Sequence, residues 1–395
     1  MVMMRILFLS YWYPYPLDNG SKIRILGLLR GLAQQHEVTF ISFADETQIR
    51  SVSPEIRSLC RDVRLVLYKT YNPGEFRAQL GLFNPTPRYI SETFSPEMAH
   101  CIEEVLATQE FDLVIASQLG TARYRPFFRR LPALFEEVEL GVYYDRFRYE
   151  PSPLSRLRNG LTWMKHRSYV VGLLREFQAC SVVSEQERQL IVQTLPEFQS
   201  VDVVPNFINL ADYDDVSGVP QQNSLIFTGP FRYYANHDAM IWFISEVYPL
   251  IQAKVPDVHL TITGDHANLP LPPASNMTLT GFVDDVRPLI ASSWVSLAPL
   301  RVGGGSRLKI LEAMALGVPV VSTSKGAEGL EFSDSRDLLV GDTAEAFAGH
   351  VIRLLKDKQA RQEIVENAYQ RVKELYDWGV IMPRFESLIQ RTVRV

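Results

Sequence analysis

Short β-branched runs alternate with amphipathic helical patterns along the whole chain, and that alternation admits few folds. The first half places strands at residues 6–10, 38–43, 63–67, 113–117, 134–138, 181–184 and 201–204. The second half continues with 225–228, 259–263, 277–280, 295–298, 318–322 and 338–340. Between them lie stretches such as Ile23, Leu26, Leu29, Arg30 and Ala33, spaced as one face of a helix. Strands that are apolar nearly throughout and separated by helices form parallel sheets covered on both faces. No short-period repeat suggests a solenoid. At 395 residues the chain is too long for one ordinary core. A polar, turn-rich stretch follows Val203-Val204-Pro205-Asn206 and runs to Asn223. The expectation is therefore an α/β protein with two doubly wound, Rossmann-like domains, 1–204 and 205–377, facing each other across a cleft. Helical patterns at 344–355, 359–376 and 382–392 close the sequence, and segment 378–395 is expected to pack back on the first domain.

Composition removes several function classes. A net charge of −5 argues against general nucleic-acid binding. No apolar run approaches the ~18 residues that suggest a membrane span. The run Ile6-Leu7-Phe8-Leu9 is too short for a secretory signal and lacks a small-residue cleavage site. Cys60, Cys101 and Cys180 make neither a disulfide framework nor a zinc site, and the histidines show no metal-ligand spacing. No metal or cofactor is expected, and a cytoplasmic location is. One region departs from the overall charge. Residues 143–175 hold Arg146, Arg148, Arg156, Arg158, Lys165, Arg167 and Arg175, interleaved with Tyr143, Tyr144, Phe147, Tyr149 and Trp163. This is either a solvated helical face or a surface for anionic lipid or an anionic acceptor at the inner face of a membrane.

The most informative segment is 303–319, Gly303-Gly304-Gly305-Ser306-Arg307-Leu308-Lys309-Ile310-Leu311-Glu312-Ala313-Met314-Ala315-Leu316-Gly317-Val318-Pro319. Ser306 is a suitable N-cap, and Gly317 with Pro319 ends a helix. Helix N-termini favour acidic residues, yet Arg307 and Lys309 stand there, which a bound anion would reconcile. Gly303, Gly304 and Gly305 let a ligand approach the backbone, so a phosphate or diphosphate fits Ser306, Arg307, Leu308 and Lys309. A plain glycine loop with solvated cations is the alternative. Glu312 lies on the apolar stripe of Leu308, Leu311 and Ala315, so its carboxylate needs a donor. A ribose diol would serve, as would a backbone N–H or an arginine.

Weaker features accompany it. The first strand-to-helix connection carries Asn19-Gly20-Ser21-Lys22 and no G-x-G-x-x-G, against a nicotinamide dehydrogenase. The loop of 228–236 carries Gly229 and Arg232. Asp212-Tyr213-Asp214 has the form of a D-x-D metal site but lies in the polar interdomain stretch and reads as solvent-facing. Ser117, Ser184 and Ser296 lack a nucleophile-elbow context.

Residues 303–328, GGGSRLKILEAMALGVPVVSTSKGAE, resemble the donor-site signature of family 4 (group 1) glycosyltransferases of the GT-B fold. The match is nearest the bacterial sugar transferases with a G-G-G-[ST]-R-L-K-I-L-E-A-M-A pattern. It extends to Arg5–Leu9 with the Asn19-Gly20 loop, Val183-Ser184-Glu185, Val203-Val204-Pro205-Asn206 and Gly281-Phe282-Val283-Asp284-Asp285. The resemblance implies retaining transfer of a sugar from a nucleotide diphosphate sugar to a glycan or lipid-linked acceptor in polysaccharide biosynthesis. The second domain would hold the donor and the first the acceptor. Glu312 matches the second Glu of the family's E-x(7)-E element, which holds the donor ribose. Gly20 matches the glycine loop near the diphosphate, and Arg232 and Lys309 would be the phosphate cations. Two positions depart from the pattern. Gly304 stands where the first Glu of E-x(7)-E belongs, and Glu136, in Glu136-Glu137-Val138-Glu139, stands where many members carry histidine. Glu136 is thus a candidate for bonding a sugar hydroxyl or helping to deprotonate the acceptor, with loop structure as its other reading. A nucleotide-sugar epimerase and a catalytically silent binding or scaffold protein are the alternative functions.

Overall fold

A computed structural model describes residues 2–69, 86–304 and 307–394. The chain divides into two compact units, Met1–Pro205 with Met382–Val395, and Asn206–Ile381.

The first unit holds a seven-stranded sheet: β1 (Arg5–Ser10), β2 (Glu37–Ala44), β3 (Asp62–Leu67), β4 (Leu113–Ser117), β5 (Ala133–Glu136), β6 (Ala179–Val182) and β7 (Val201–Val203). Its order is β3-β2-β1-β4-β5-β6-β7, and every pairing is parallel. The second holds β8 (Ser224–Thr228), β9 (His259–Thr263), β10 (Met277–Gly281), β11 (Val295–Ala298), β12 (Val320–Ser322) and β13 (Leu339–Val340). These run parallel in the order β10-β9-β8-β11-β12-β13. The central strands explain the apolar runs: Ile6, Leu7, Phe8 and Leu9 of β1 are buried on both faces, as are Leu113, Val114, Ile115 and Ala116 of β4. Strand order reverses beside β1 in one sheet and beside β8 in the other. Loops leaving the carboxyl ends of β1 and β4, and of β8 and β11, diverge at these switch points, where open α/β sheets bind ligands.

Three strands end differently from their apolar runs. β5 stops at Glu136 because Glu137 turns into left-handed backbone, φ 57°. β6 stops at Val182 because Ser184 caps the Glu185–Thr194 helix, its hydroxyl accepting from the Glu187 amide at 3.2 Å. β12 starts only at Val320 because the preceding residues close the Leu308–Ala315 helix: Gly317 and Val318 donate to the Met314 and Ala313 carbonyls, with Gly317 at φ 68°.

The last helix, Trp378–Arg394, belongs to the first unit from Met382 onward. It buries Phe385, Leu388 and Ile389 completely or nearly so. The Met4 amide donates to His36 Nδ1, so Nε2 carries the proton and donates to Glu386 at 3.0 Å. Arg391 pairs with Asp202.

Candidate functional site

In the second unit the loops leaving β8 and β11 interlock. The Tyr233 hydroxyl donates to the Gly304 carbonyl at 2.8 Å, and a Cβ on Gly303 (φ 90°) would collide with that hydroxyl. Gly229 (φ 137°) lies close enough that a Cβ would meet Asn236 Nδ2 at 2.7 Å and Lys309 Nζ at 3.2 Å. Glycine at 229 therefore lets the end of β8 pass beside the ammonium.

The Leu308–Ala315 helix supplies the two ionisable groups of this site. Lys309 extends from its first turn, donating to Asn236 Oδ1 at 3.0 Å, with Nζ 4.1 Å above the Phe227 ring centre. Burial brings this lysine down to about 7, and neighbouring Arg307 pushes the same way while Glu312 opposes it. Glu312, three residues on along the same helix, accepts from the Tyr213 hydroxyl at 3.3 Å. Burial raises its carboxyl to about 7, against the pull of Tyr213, Arg287 and Lys309. Arg287 is held by Asp285 at 2.8 Å, donates to the Asp212 carbonyl at 2.6 Å and lies over the Tyr213 ring at 5.9 Å. The helix thus presents an ammonium and a carboxylate that both change charge near neutral pH.

Several expected roles change on this geometry. Arg307 sits at the N-cap position, wholly enclosed, and donates to the carbonyls of Gly303 (3.2 Å), Gly304 (3.4 Å) and Lys325 (2.9 Å). Its charge is spent on tying the glycine loop, so its place at a helix start needs no bound anion. Leu308 is 4 % exposed and can offer a ligand only its backbone. Arg232 turns outward and pairs with Asp265 at 2.7 Å, its side chain 79 % exposed, so it is not gathered with Lys309. The amides of Gly229 and Phe231 are taken by the carbonyls of Thr263 and Asp265. Gly305 and Ser306, including the N-cap expected of Ser306, lie outside the described residues.

The first unit has its own constellation at the ends of β1, β4 and β5. Gly20 opens the Gly20–Leu32 helix, capped by Asn19, whose side chain accepts from the Lys22 amide at 3.1 Å. Glu136 is not available there. It is completely buried, its Oε1 bound by Arg24 Nε at 2.6 Å and its Oε2 by the Ser117 hydroxyl at 2.6 Å. Arg24, also completely buried, donates to the Pro205 carbonyl at 3.0 Å as well. A carboxylate with both oxygens held in the core has no face for a substrate, so the role of Glu136 is structural and not the catalytic one expected of it.

The next residue, Glu137, is the one that leaves the sheet. Glu137 and Gln118 follow β5 and β4, both with positive φ (57° and 67°), a cost of about 1–3 kcal/mol each that tends to collect at functional sites. Gln118 Nε2 donates to Glu137 Oε2 at 2.6 Å and to Ser21 Oγ at 3.0 Å, joining the loop to the Gly20 helix start. Burial and the charge of Glu136 raise the Glu137 carboxyl well above the usual range, against Arg24 and Gln118.

Glu137 for Glu136, Gln118, Tyr213 and Asn236 are the residues that sequence reasoning passed over. One of them had a signal. An aromatic inside the polar 205–223 stretch is out of place unless it packs, and Tyr213 does, while Asp212 and Asp214 are exposed as expected. Among the described residues no three His, Cys, Asp or Glu side chains gather as a metal-binding cluster.

Comparison with known proteins gives this geometry a setting. Residues 222–357, which contain Gly229, Arg232, Lys309 and Glu312, match the family model Glycosyl transferases group 1. A 44.6 kDa protein in the cps region of Klebsiella pneumoniae is 27 % identical over 165 residues, 39 % of this chain and 42 % of that protein. The match thus spans less than half the length of that relative. Anabaena HepE, solved in complex with UDP-glucose, superposes with a TM-score of 0.66 at 14 % identity, covering 98 % of this chain and 99 % of that one. Sucrose-phosphate synthase from Thermosynechococcus elongatus gives a TM-score of 0.67 at 17 % identity, over 98 % of each chain. At these identities the likeness shows the fold, which is the GT-B fold of two α/β units.

Proposed function

We propose, for a chain that carries a Glycosyl transferases group 1 domain at residues 222–357, that it moves a sugar with retention from a nucleotide diphosphate sugar to a glycan or lipid-linked acceptor. The reading rests on one observation: the matched segment contains Lys309 and Glu312 side by side on a helix that starts at the switch point of the second sheet. In this reading Asn206–Ile381 holds the donor and the first unit the acceptor. Glu312 accepts the ribose hydroxyls, displacing or sharing the Tyr213 hydroxyl. Lys309 faces the diphosphate, and in its charged form it stabilises the oxyanion that builds up as the sugar–phosphate bond breaks. Gly229, Gly303 and Gly304 would face the same donor, with Arg232 swinging from Asp265 to the outer phosphate. No protein nucleophile and no metal ion is called for. Cellular activity would lie in polysaccharide assembly on the cytoplasmic side of a membrane. The test is a panel of nucleotide sugars scored for acceptor-dependent release of nucleoside diphosphate, with the anomeric configuration of the product read by NMR. Acceptor-independent conversion of the donor would indicate an epimerase instead, and binding without turnover across the panel a scaffold.

Two variants follow from this assignment. Lys309→Met should lower the rate of donor cleavage at saturating donor about 10²-fold, the scale of removing one preorganised group at a developing oxyanion. An unchanged rate would show Lys309 to be structural. Glu137, at the end of β5 in the acceptor-side unit, would take the proton of the acceptor hydroxyl, so Glu137→Gln should reduce transfer about 10²-fold, the lower end of a proton-transfer contribution, and remove the acid limb of the pH–rate profile. The sign follows from the raised carboxyl: Glu137 accepts a proton only once ionised, so the parent rate rises with pH until Glu137 has ionised. A limb that persists in the amide variant belongs to another group.

A further inference from the structure

The Pro153–Leu174 helix presents one face that the core does not use. Trp163, His166, Val170, Leu173 and Leu174 are buried on its inner side. Leu154, Leu157, Leu161 and Met164 are 83 %, 65 %, 53 % and 61 % exposed, and their spacing of three, seven and ten residues places them in a single stripe. A helix that satisfies its own unit with one face has no folding reason to set four large apolar side chains in water along the other. Arg158 and Lys165 flank the stripe on one edge and Arg167 on the other, and the helix contains no aspartate or glutamate. The preceding Gly141–Arg148 helix adds Arg146 and Arg148, and Tyr149, just beyond it, is 74 % exposed. From residue 141 to 175 seven cations stand against two carboxylates, in a chain whose net charge is −5.

We propose that this face docks the first unit on an anionic lipid bilayer, with Leu154, Leu157, Leu161 and Met164 seated among the acyl chains and the arginines among the headgroups. The occupant follows from the two chemistries combined on the one face. An apolar stripe rimmed by cations matches a surface that is apolar at depth and anionic at the rim, the arrangement of an interfacial helix. A second copy of the same face would bring cation against cation, so self-association is disfavoured. No described helix is long and apolar enough to cross a membrane, so this one lies in the interface plane. The proposal does not depend on sugar transfer, because its test reads binding alone.

The experiment is co-sedimentation of the full chain with vesicles of phosphatidylcholine alone or with about one third phosphatidylglycerol. The expected result is binding to the anionic vesicles at least ~10-fold stronger than to the neutral ones, weakened by salt. Leu157→Glu with Leu161→Glu should abolish it while leaving thermal unfolding unchanged, since both side chains are already in water. Arg158→Gln with Arg167→Gln should lower it without abolishing it. Equal sedimentation with neutral and anionic vesicles, or full binding by the double-glutamate variant, overturns the proposal. So does failure to bind vesicles by a parent that sediments as a dimer which the double-glutamate variant breaks.

Discussion

Arg24→Met is expected to destabilise the first unit by about 3–5 kcal/mol, the cost of leaving one member of a buried ion pair uncompensated. Both side chains are completely buried and joined at 2.6 Å. Without the guanidinium the Glu136 carboxylate is left without its ion-pair partner in the core, and the Pro205 carbonyl loses a donor too. At roughly 2–4 °C per kcal/mol for units of this size, the unfolding midpoint falls by about 10 °C. Pairing the change with Glu136→Gln should recover much of the loss, because the amide still meets Ser117 and no charge remains to be hidden. Circular dichroism melts of the parent and the two variants measure this recovery. A single Arg24→Met that melts with the parent would return Glu136 to the list of groups free to act on a substrate.

Glu312→Ala is expected to weaken nucleoside diphosphate binding about 10³-fold, since two charge-assisted hydrogen bonds to ribose hydroxyls are each worth about 1.5–3 kcal/mol. Transfer should fall below detection while the fold survives. The pH dependence sharpens the test. Glu312 accepts best when ionised, above about 7, and Lys309 attracts phosphate only when protonated, below about 7 in the free protein. Affinity for the nucleotide is therefore bell-shaped, highest near neutral pH. Glu312→Gln should remove the acid limb and Lys309→Met the basic one, both readable by calorimetry. The same two groups shape stability. The raised carboxyl of Glu312 favours the folded state below its unfolded value, and that contribution fades as pH rises through about 7. The lowered ammonium of Lys309 favours it above its unfolded value, and that contribution fades as pH falls through about 7. Wild-type nucleotide affinity in Glu312→Ala would end the ribose assignment.

Parallel sheets were legible because a strand buried on both faces must be apolar at every position, and β1, β4 and β11 are nearly so. Lys309 and Glu312 were legible because a cation at a helix start and a carboxylate on an apolar stripe each conflict with local rules. Arg307 raised the same conflict and resolved it differently, through carbonyls of Gly303 and of Lys325, the latter 18 residues away. Nothing local announces such a partner. Glu136 and Arg24 are 112 residues apart, so neither run reveals that they neutralise each other. Which of Glu136 and Glu137 leaves the sheet depends on a single left-handed residue, and glutamate carries no preference for that backbone. Arg232 and Asp265 meet across two loops for the same long-range reason.

The helix that runs on from the second unit into the first has a consequence for the order of synthesis. Glu386 binds His36, and Phe385, Leu388 and Ile389 are buried in the same unit, yet the whole of 206–381 is translated between His36 and this helix. On the ribosome the first seven strands can pair early, but the unit they form lacks one wall until the final helix emerges. The portion made first is thus finished last, and a nascent chain stalled within the second unit would expose that gap to chaperones and proteases.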